Sequence, residues 1–112
     1  MQIYTKIENT WSWGVSIDII RTDGIGIICV KLDNDYPITA FISDLTVHLH
    51  YRDNGIGREL MDKALEVAKE KGMKFAELNA DKNNDWLVAW YKSLGFEITC
   101  IGKDEFTMTK IL

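Results

Sequence analysis

The feature that most constrains the fold is an apolar segment that runs into a glycine loop and then into an amphipathic helix. Residues 47–58 read Val-His-Leu-His-Tyr-Arg-Asp-Asn-Gly-Ile-Gly-Arg. A helix N-terminus leaves backbone N–H groups unpaired and carries a partial positive charge, and glycines let an anion approach those groups closely. The sequence therefore predicts that a strand, a loop and a helix together form a phosphate-binding site.

The composition is typical of a single compact domain. The chain has 112 residues, 46% of them hydrophobic, and one proline, which favours a packed core over disorder. Its formal net charge is −4 and it has no basic run, so a nucleic-acid backbone is a poor partner. We find no segment with the pattern of a membrane span or an export signal. We therefore expect one cytoplasmic domain, residues 1–112.

The two cysteines do not indicate a metal site. Cys29 and Cys100 lie in apolar, strand-like stretches, and their spacing matches no zinc pattern. Because free cysteine is among the most buried residue types, we expect two buried free thiols and no bound metal.

Hydrophobic periodicity predicts an α+β fold. The pattern indicates, in chain order, strands over 11–21, 25–32 and 38–49, a helix over 55–71, a strand over 75–80, a helix over 84–94, and strands over 96–101 and 105–111. Antiparallel hairpins would then flank one right-handed strand–helix–strand crossover. We expect a mixed, mostly antiparallel sheet with two helices.

The glycine loop differs from two other phosphate-binding loops. A Walker loop ends in Gly-Lys-Ser/Thr, whereas Arg58 and Glu59 follow Gly57 here. A dinucleotide-binding loop needs a third glycine where this chain has Leu60, and a doubly wound domain needs more chain than the roughly 30 residues after Asp81. A Gly-x-Gly turn by itself can also simply join a strand to a helix, so the loop alone leaves its role open.

A second motif makes a functional role more specific. Residues 84–96 read Asn-x-x-Leu-x-x-Trp-Tyr-x-x-Leu-Gly-Phe. With the Arg-x-x-Gly-x-Gly loop, the chain over 38–112 resembles the GNAT superfamily of N-acetyltransferases. That family has an Arg/Gln-x-x-Gly-x-Gly/Ala loop and a later helix of the form Asn-x-x-Ala-x-x-Phe/Leu-Tyr-x-x-Leu-Gly-Phe. The resemblance implies a GNAT acyl-CoA N-acyltransferase-like fold and direct transfer of an acetyl group from acetyl-CoA to an amine of a small molecule or protein.

The chain departs from the family pattern at several positions. Leu49 stands where proline is usual, His50 where an acidic residue is, Asp53 where glycine is common and Leu87 where alanine is usual. Asp53 would put a carboxylate near the pyrophosphate. Only about ten residues precede Trp11, where the family usually has a strand and helices that wall the acceptor site. We therefore expect an open acceptor site, completed by a second subunit in a homodimer or shaped for a protein amine. The alternative is a CoA-binding regulatory or interaction module without transferase activity.

The resemblance implies specific cofactor contacts. Backbone N–H groups of residues 54–58 would hold the pyrophosphate, and Arg52 and Arg58 would add charge-assisted hydrogen bonds. The end of the third strand would bond the pantetheine arm as a neighbouring strand does, and the N–H of Val47 would polarise the thioester carbonyl. Asn84 would anchor the cofactor arm. The expected cofactor-binding residues are Leu45, Thr46, Val47, Arg52, Asn54, Gly55, Ile56, Gly57, Arg58 and Asn84.

The resemblance also implies catalytic roles. Tyr91 would be the general acid that protonates the departing thiolate, since a phenol with a pKa near 10 stays protonated at neutral pH. Asp44 would take the proton from the amine, directly or through water. His48, His50 and solvent are alternatives for this base. Two further aromatic residues of the second helix, Trp86 and Trp90, would either pack in the core or line the acceptor pocket or a dimer interface.

Overall fold

The structure is a computed structural model that describes residues 3–52 and 54–112, so Asp53 and the expectation attached to it lie outside the described residues. The elements, in chain order, are β1 Tyr4–Trp11, β2 Gly14–Arg21, β3 Gly26–Asp33, β4 Thr39–Val47, α1 Ile56–Glu70, β5 Phe75–Asp81, α2 Asp85–Ser93, β6 Glu97–Ile101 and β7 Glu105–Ile111, with a 3-10 turn at Leu49–Tyr51 before α1. The α+β class predicted from the sequence is confirmed. Within the described ranges, we find no helix with the length and apolar character needed to cross a membrane.

The described strands form one sheet in the order β1-β2-β3-β4-β5-β7-β6. Neighbouring strands are antiparallel except β4 and β5, which are parallel and joined through α1. Their pairing is short, because it begins with Thr39 opposite Phe75 and ends with Phe41 opposite Glu77. Beyond Phe41, the β4 edge that faces β5 pairs with no strand of the described residues. This gap between β4 and β5 positions the candidate site.

Both helices pack on the same face of the sheet. Ala40 and Ala76 are aligned neighbours in β4 and β5, and both are completely buried in one core cluster with Leu78. Residues of α1 recur in that cluster at helical spacing, and α2 contributes to the same cluster. The helix residues buried there are Ile56, Leu60, Met61, Ala64, Val67 and Ala68 from α1 and Val88 and Tyr91 from α2. Residues that alternate with the core positions, such as Asn79, therefore lie on the opposite face of the sheet.

The first strand is a feature that the sequence pattern did not predict. The expected strand over 11–21 is divided, since β1 ends at Trp11 and β2 begins at Gly14. Within β1 only Tyr4 is buried, because β1 is an edge strand, and such strands often carry exposed charges that block pairing with other chains. The strand is also tied to the C-terminal end of α1, where Lys71 Nζ lies 2.8 Å from Glu8 Oε1.

The two cysteines have different environments. Cys29 in β3 is a buried free thiol, as predicted. The prediction of a buried thiol is wrong for Cys100, which is exposed. Cys100 lies on the edge strand β6 beside a register shift in the pairing with β7, and none of the described strands pairs with the outer edge of β6.

Candidate active site

Strand β4 contains a β-bulge beside the gap. The pairing with β3 places Ile27 opposite Thr46 but Cys29 opposite Ser43, so β4 has one extra residue between these pairs. Asp44 lies in this bulge with a φ of 59°, the left-handed region that is uncommon for a residue other than glycine. The extra residue reverses the alternation of side chains, so that Leu45 packs against the core like Ile42. The bulge thus leaves Asp44 exposed and returns Leu45 to the side of the sheet that carries the core.

A groove of about 610 Å³ lies between the end of β4, the start of α1 and the first turns of α2. Its lining includes most of the cofactor-binding residues expected from the sequence, together with Tyr51 and three residues of α2. The residues that line it are Leu45, Thr46, Val47, Tyr51, Arg52, Gly55, Gly57, Arg58, Trp86, Leu87 and Trp90. The side of the groove that faces α2 is therefore largely apolar, and the side that faces the glycine loop carries two guanidinium groups.

The N-terminus of α1 offers backbone donors to this groove, and no described residue accepts the N–H groups of residues 56–58. Gly55 occupies the cap position with a φ of 77° and provides no side-chain cap, and its carbonyl accepts the N–H of Glu59 at 3.0 Å. The N–H groups of residues 56–58 therefore have no acceptor within the helix. A Cβ built on Gly57 would lie 3.7 Å from the Trp90 ring, an ordinary contact. Protein packing alone thus does not require glycine at position 57.

Two arginines flank these donors. The Nε–H of Arg52 donates to the carbonyl oxygen of Val47 at 3.3 Å, which ties the loop to the end of β4. Arg58 is exposed in the first turn of α1 and forms no ion pair with a described residue. Both lie beside a helix N-terminus whose partial charge is positive, so this end of the groove favours an anion.

Three of the expected cofactor-binding residues do not line the groove. Asn54 is exposed beside it, and the side chain of Ile56 is buried in the core, so that only its backbone is available. Asn84 uses its Oδ1 to accept the N–H of Leu87 at 3.0 Å and thereby caps α2. The Nδ2 group of Asn84 remains available to donate.

The tryptophan pair of α2 forms a wall of the groove. Trp86 is 69% exposed, and its ring is parallel to that of Trp90, with an interplanar angle of 3° and centroids 6.4 Å apart. Trp86 therefore lies outside the core, and both rings line the groove at the glycine loop.

A second cavity of about 360 Å³ lies in the gap between β4 and β5. Residues from the helix face and from the opposite face of the sheet contribute to it, because the strands no longer pair there. The residues that line it are Ile42, Leu45, Met61, Leu78 and Tyr91 among the apolar or aromatic ones and Ser43, Asp44, Asn79 and Glu105 among the polar ones. Leu45 lines both the groove and this cavity, so the two are adjacent along β4.

Tyr91 has the environment of a proton donor. Its side chain is 9% exposed and its ring contacts Trp90 and Phe96, while its hydroxyl makes no hydrogen bond to a described residue. Burial raises the pKa of this phenol above its ordinary value, because a low-dielectric environment disfavours the phenolate. Tyr91 therefore stays protonated at neutral pH and holds an O–H donor at the cavity.

The residues expected as candidates for the base lie in different places. Asp44 lines the cavity, and its Oδ2 accepts a hydrogen bond from Ser43 Oγ at 3.2 Å. His48 and His50 lie at the 3-10 turn, with ring centroids 5.4 Å apart, and line neither the cavity nor the groove.

Glu105 is a cavity residue that the sequence did not reveal. It begins β7, and the pairing of β7 with β5 places it opposite Asp81 and brings it to the gap. No local motif marks it, since its position depends on a long-range strand pairing. Among the described residues, no group of histidine, cysteine and acidic side chains could hold a metal ion.

A mixed sheet that opens between its parallel strands, with a glycine-rich helix start at the opening, is the arrangement of the GNAT acyltransferase fold. A GNAT family acetyltransferase from Elizabethkingia anophelis, solved with acetyl-CoA bound, has this fold at a TM-score of 0.77, with 17% identity and complete coverage of both chains. PaiA N-acetyltransferase from Thermoplasma acidophilum, solved in complex with coenzyme A, matches at a TM-score of 0.73 with 23% identity, over 87% of this chain and 60% of that one.

The acetyltransferase (GNAT) family model matches residues 8–96, and this chain belongs to that family, as the sequence motifs predicted. An uncharacterized N-acetyltransferase of Methanocaldococcus jannaschii is 37% identical over 71 residues, which cover 63% of this chain and 31% of the relative. An N-alpha-acetyltransferase of Arabidopsis thaliana is 33% identical over 70 residues, which cover 62% of this chain and 37% of the relative. The matched region thus spans about a third of each of these two curated relatives.

Proposed function

We propose that this chain is an acetyl-CoA-dependent N-acetyltransferase that transfers the acetyl group directly to an amine of a small molecule or a protein. The observation that carries the proposal is the continuity of the site along β4. Tyr91, which is nine-tenths buried, lines a cavity that adjoins, at Leu45, a groove ending at the N–H groups of the α1 N-terminus. Membership of the acetyltransferase family supports the same conclusion.

In this proposal the groove holds acetyl-CoA as the acyl donor. The N–H groups of residues 56–58, with those of Asn54 and Gly55, bind the pyrophosphate, and Arg52 and Arg58 add charge. Residues 45–47 lie on the unpaired edge of β4 and bond the pantetheine arm as a neighbouring strand would, while Asn84 donates to it through Nδ2. The N–H of Val47 polarises the thioester carbonyl.

The chemical step then uses the adjoining cavity. A neutral amine attacks the thioester carbonyl, the new C–N bond forms, and the C–S bond breaks as the tetrahedral intermediate collapses. The O–H of Tyr91 protonates the departing thiolate. Asp44 takes the proton from the attacking amine, directly or through water, and it is favoured over His48 and His50 because it lines the cavity and they do not. The products are the N-acetylated amine and free CoA.

We further propose the setting in which this reaction occurs. Residues 1–112 act as one cytoplasmic domain without a metal cofactor and without a nucleic-acid or membrane partner, and the domain forms a homodimer. The net charge of −4 supports the exclusion of nucleic acid. Sedimentation at increasing protein concentration tests the dimer, and a monomer at all concentrations would contradict it.

The proposed function is tested by calorimetric titration with CoA, followed by mass spectrometry after incubation with acetyl-CoA and a panel of amines. We expect CoA to bind with release of heat and at least one amine to gain an acetyl group. CoA binding without acetylation of any amine would instead favour a CoA-binding module. A dissociation constant for CoA weaker than roughly 1 mM would contradict the proposal.

A further inference from the structure

The charged side chains that line the cavity between β4 and β5 carry the same sign. Asp44 and Glu105 line it, and no lysine or arginine of the described residues does. The two carboxylates belong to strands on either side of β5, since Asp44 is in β4 and Glu105 begins β7. A small molecule in this cavity would therefore meet carboxylates from two strands that are not neighbours in the sheet.

A second, independent feature indicates that a ligand occupies this cavity. The Tyr91 side chain is nine-tenths buried, and its hydroxyl has no hydrogen-bond partner among the described residues. Tyr91 lines the cavity, so a ligand there can supply a hydrogen-bond partner for its O–H that the protein does not provide. The volume of about 360 Å³ is at the lower end of the range for small-molecule pockets.

The reaction itself distinguishes the two carboxylates. The amine that attacks the thioester must be neutral, so its ion pair with a carboxylate is lost before the bond forms. A second ammonium group elsewhere in the acceptor stays charged throughout the reaction, and its ion pair persists into the transition state. Binding energy from a part of the substrate that does not react is the kind that positions the reacting part.

We propose that the acceptor is a small dicationic amine, with Asp44 beside the reacting amine and Glu105 holding the second ammonium group. This inference rests on the proposed function, because it assumes acetyl transfer at Tyr91. Glu105 is then a specificity-determining residue, whereas Asp44 handles the proton of the reacting amine.

The inference is tested with three acceptors of equal chain length and different charge: 1-aminobutane, 1,4-diaminobutane and 4-aminobutanoate. With acetyl-CoA in excess, we expect kcat/KM to be highest for the diamine, about fivefold or more above 1-aminobutane, and lowest for the amino acid. The advantage should lie in KM and should shrink as the ionic strength rises. Equal kcat/KM values for the diamine and 1-aminobutane would overturn the inference, and so would a peptide N-terminus or lysine peptide acetylated more efficiently than the diamine.

Two matched variants locate the effect. Glu105→Gln keeps the size of the side chain and removes its charge, and we expect it to lower kcat/KM for the diamine about fivefold more than for 1-aminobutane. Glu97→Gln, on the exposed start of β6 and outside the cavity, should leave the ratio unchanged. An equal effect of Glu105→Gln on both amines would overturn the inference.

The same experiments separate this inference from the proposed function. CoA binding by the wild-type protein without turnover of any of the three amines would overturn the inference and leave a CoA-binding module. Failure to bind CoA at all would overturn the proposed function and this inference with it.

Discussion

At the residue scale, two glycines of this chain are explained by different neighbours. A Cβ on Gly26 in β3 would lie 2.7 Å from Leu60 Cδ1 and 3.3 Å from Ile56 Cγ2, so a side chain at position 26 would force these residues of α1 to shift. At Gly57 a Cβ would make only ordinary contacts with Trp90. In the proposed function, position 57 lacks a side chain because the pyrophosphate of CoA approaches the helix N-terminus there.

This contrast predicts different effects of the same substitution. We expect Gly57→Ala to keep or raise the stability by up to about 1 kcal/mol, because alanine favours a helix, and to weaken CoA binding about tenfold by crowding the pyrophosphate. Gly26→Ala should cost about 1–3 kcal/mol through overpacking. Chemical denaturation and calorimetry measure both quantities. Undiminished CoA affinity in folded Gly57→Ala would show that the pyrophosphate does not approach this position.

Tyr91 supplies the second residue-scale prediction. We expect Tyr91→Phe to lower kcat about 100-fold, with CoA affinity and stability nearly unchanged, because the hydroxyl has no protein partner to lose. In the wild-type enzyme, activity should rise from pH 7 to 9 as the acceptor amine loses its proton. Since burial raises the pKa of Tyr91, loss of the phenol proton should lower activity only above about pH 10. An unchanged kcat in Tyr91→Phe would remove Tyr91 from the mechanism.

Some of the residues at the candidate site could be predicted from the sequence, and others could not. The glycine loop, Tyr91 and Asp44 could be named because they belong to local motifs or to a recognisable strand position. The left-handed backbone of Asp44 could not be predicted, since it depends on a one-residue mismatch between β3 and β4. Glu105 reaches the cavity only through the pairing of β7 with β5, which no local pattern encodes.

At the element scale, Asn84 at the start of α2 has a structural role and a proposed binding role. Asn84 Oδ1 caps the helix through the N–H of Leu87, and the proposed function gives its Nδ2 to the pantetheine arm. Asn84→Asp should keep the cap, because aspartate caps helices as well as asparagine does, whereas Asn84→Ala should lose about 1 kcal/mol of stability. Both variants should bind pantetheine more weakly in an NMR titration. Pantetheine carries no phosphate, so the new charge of Asn84→Asp does not repel it. Wild-type affinity in Asn84→Asp would leave Asn84 with the capping role alone.

The tryptophan wall of α2 leads to a further prediction for this element. Trp86→Ala removes an exposed ring that lines the groove beside the glycine loop, so we expect CoA affinity to fall about tenfold by calorimetry while stability changes little. Trp11→Ala is the matched control, because Trp11 is also an exposed tryptophan but lies at the end of β1, outside the groove. Equal losses in the two variants, or none in Trp86→Ala, would contradict a role for this wall in binding.

The elements differ in how well the sequence revealed them. Both helices were predicted close to their observed bounds, because each buries one stripe against the sheet and so shows a clear helical period. Strand β1 was missed because it lies at the sheet edge with only Tyr4 buried, and an edge strand needs no alternation of apolar and polar residues. Strand β4 ends at Val47, two residues before the predicted end, because a 3-10 turn follows at Leu49–Tyr51.

At the scale of the whole molecule, the local charge at the groove has the opposite sign to the net charge of the chain. The chain carries a net charge of −4, yet Arg52, Arg58 and the positive end of α1 meet at the groove, while the adjoining cavity is lined by Asp44 and Glu105. In the proposed function, the groove offers a positive surface to the anionic donor, and the adjoining cavity offers a negative one to a cationic acceptor. On that proposal, the two substrates do not compete for the same charges.

Because the groove joins β4, α1 and α2, CoA binding should stabilise the molecule as a whole. A ligand that binds only the folded state at 100 times its dissociation constant adds about 2.7 kcal/mol, which corresponds to a rise in Tm of roughly 10 °C for a chain of this size. Thermal denaturation with increasing CoA measures this rise, and AMP at the same concentrations is the control for general anion effects. The rise should be smaller in Gly57→Ala at equal CoA, since that variant binds more weakly. A Tm that does not move with CoA, or moves equally with AMP, would contradict a site that spans all three elements.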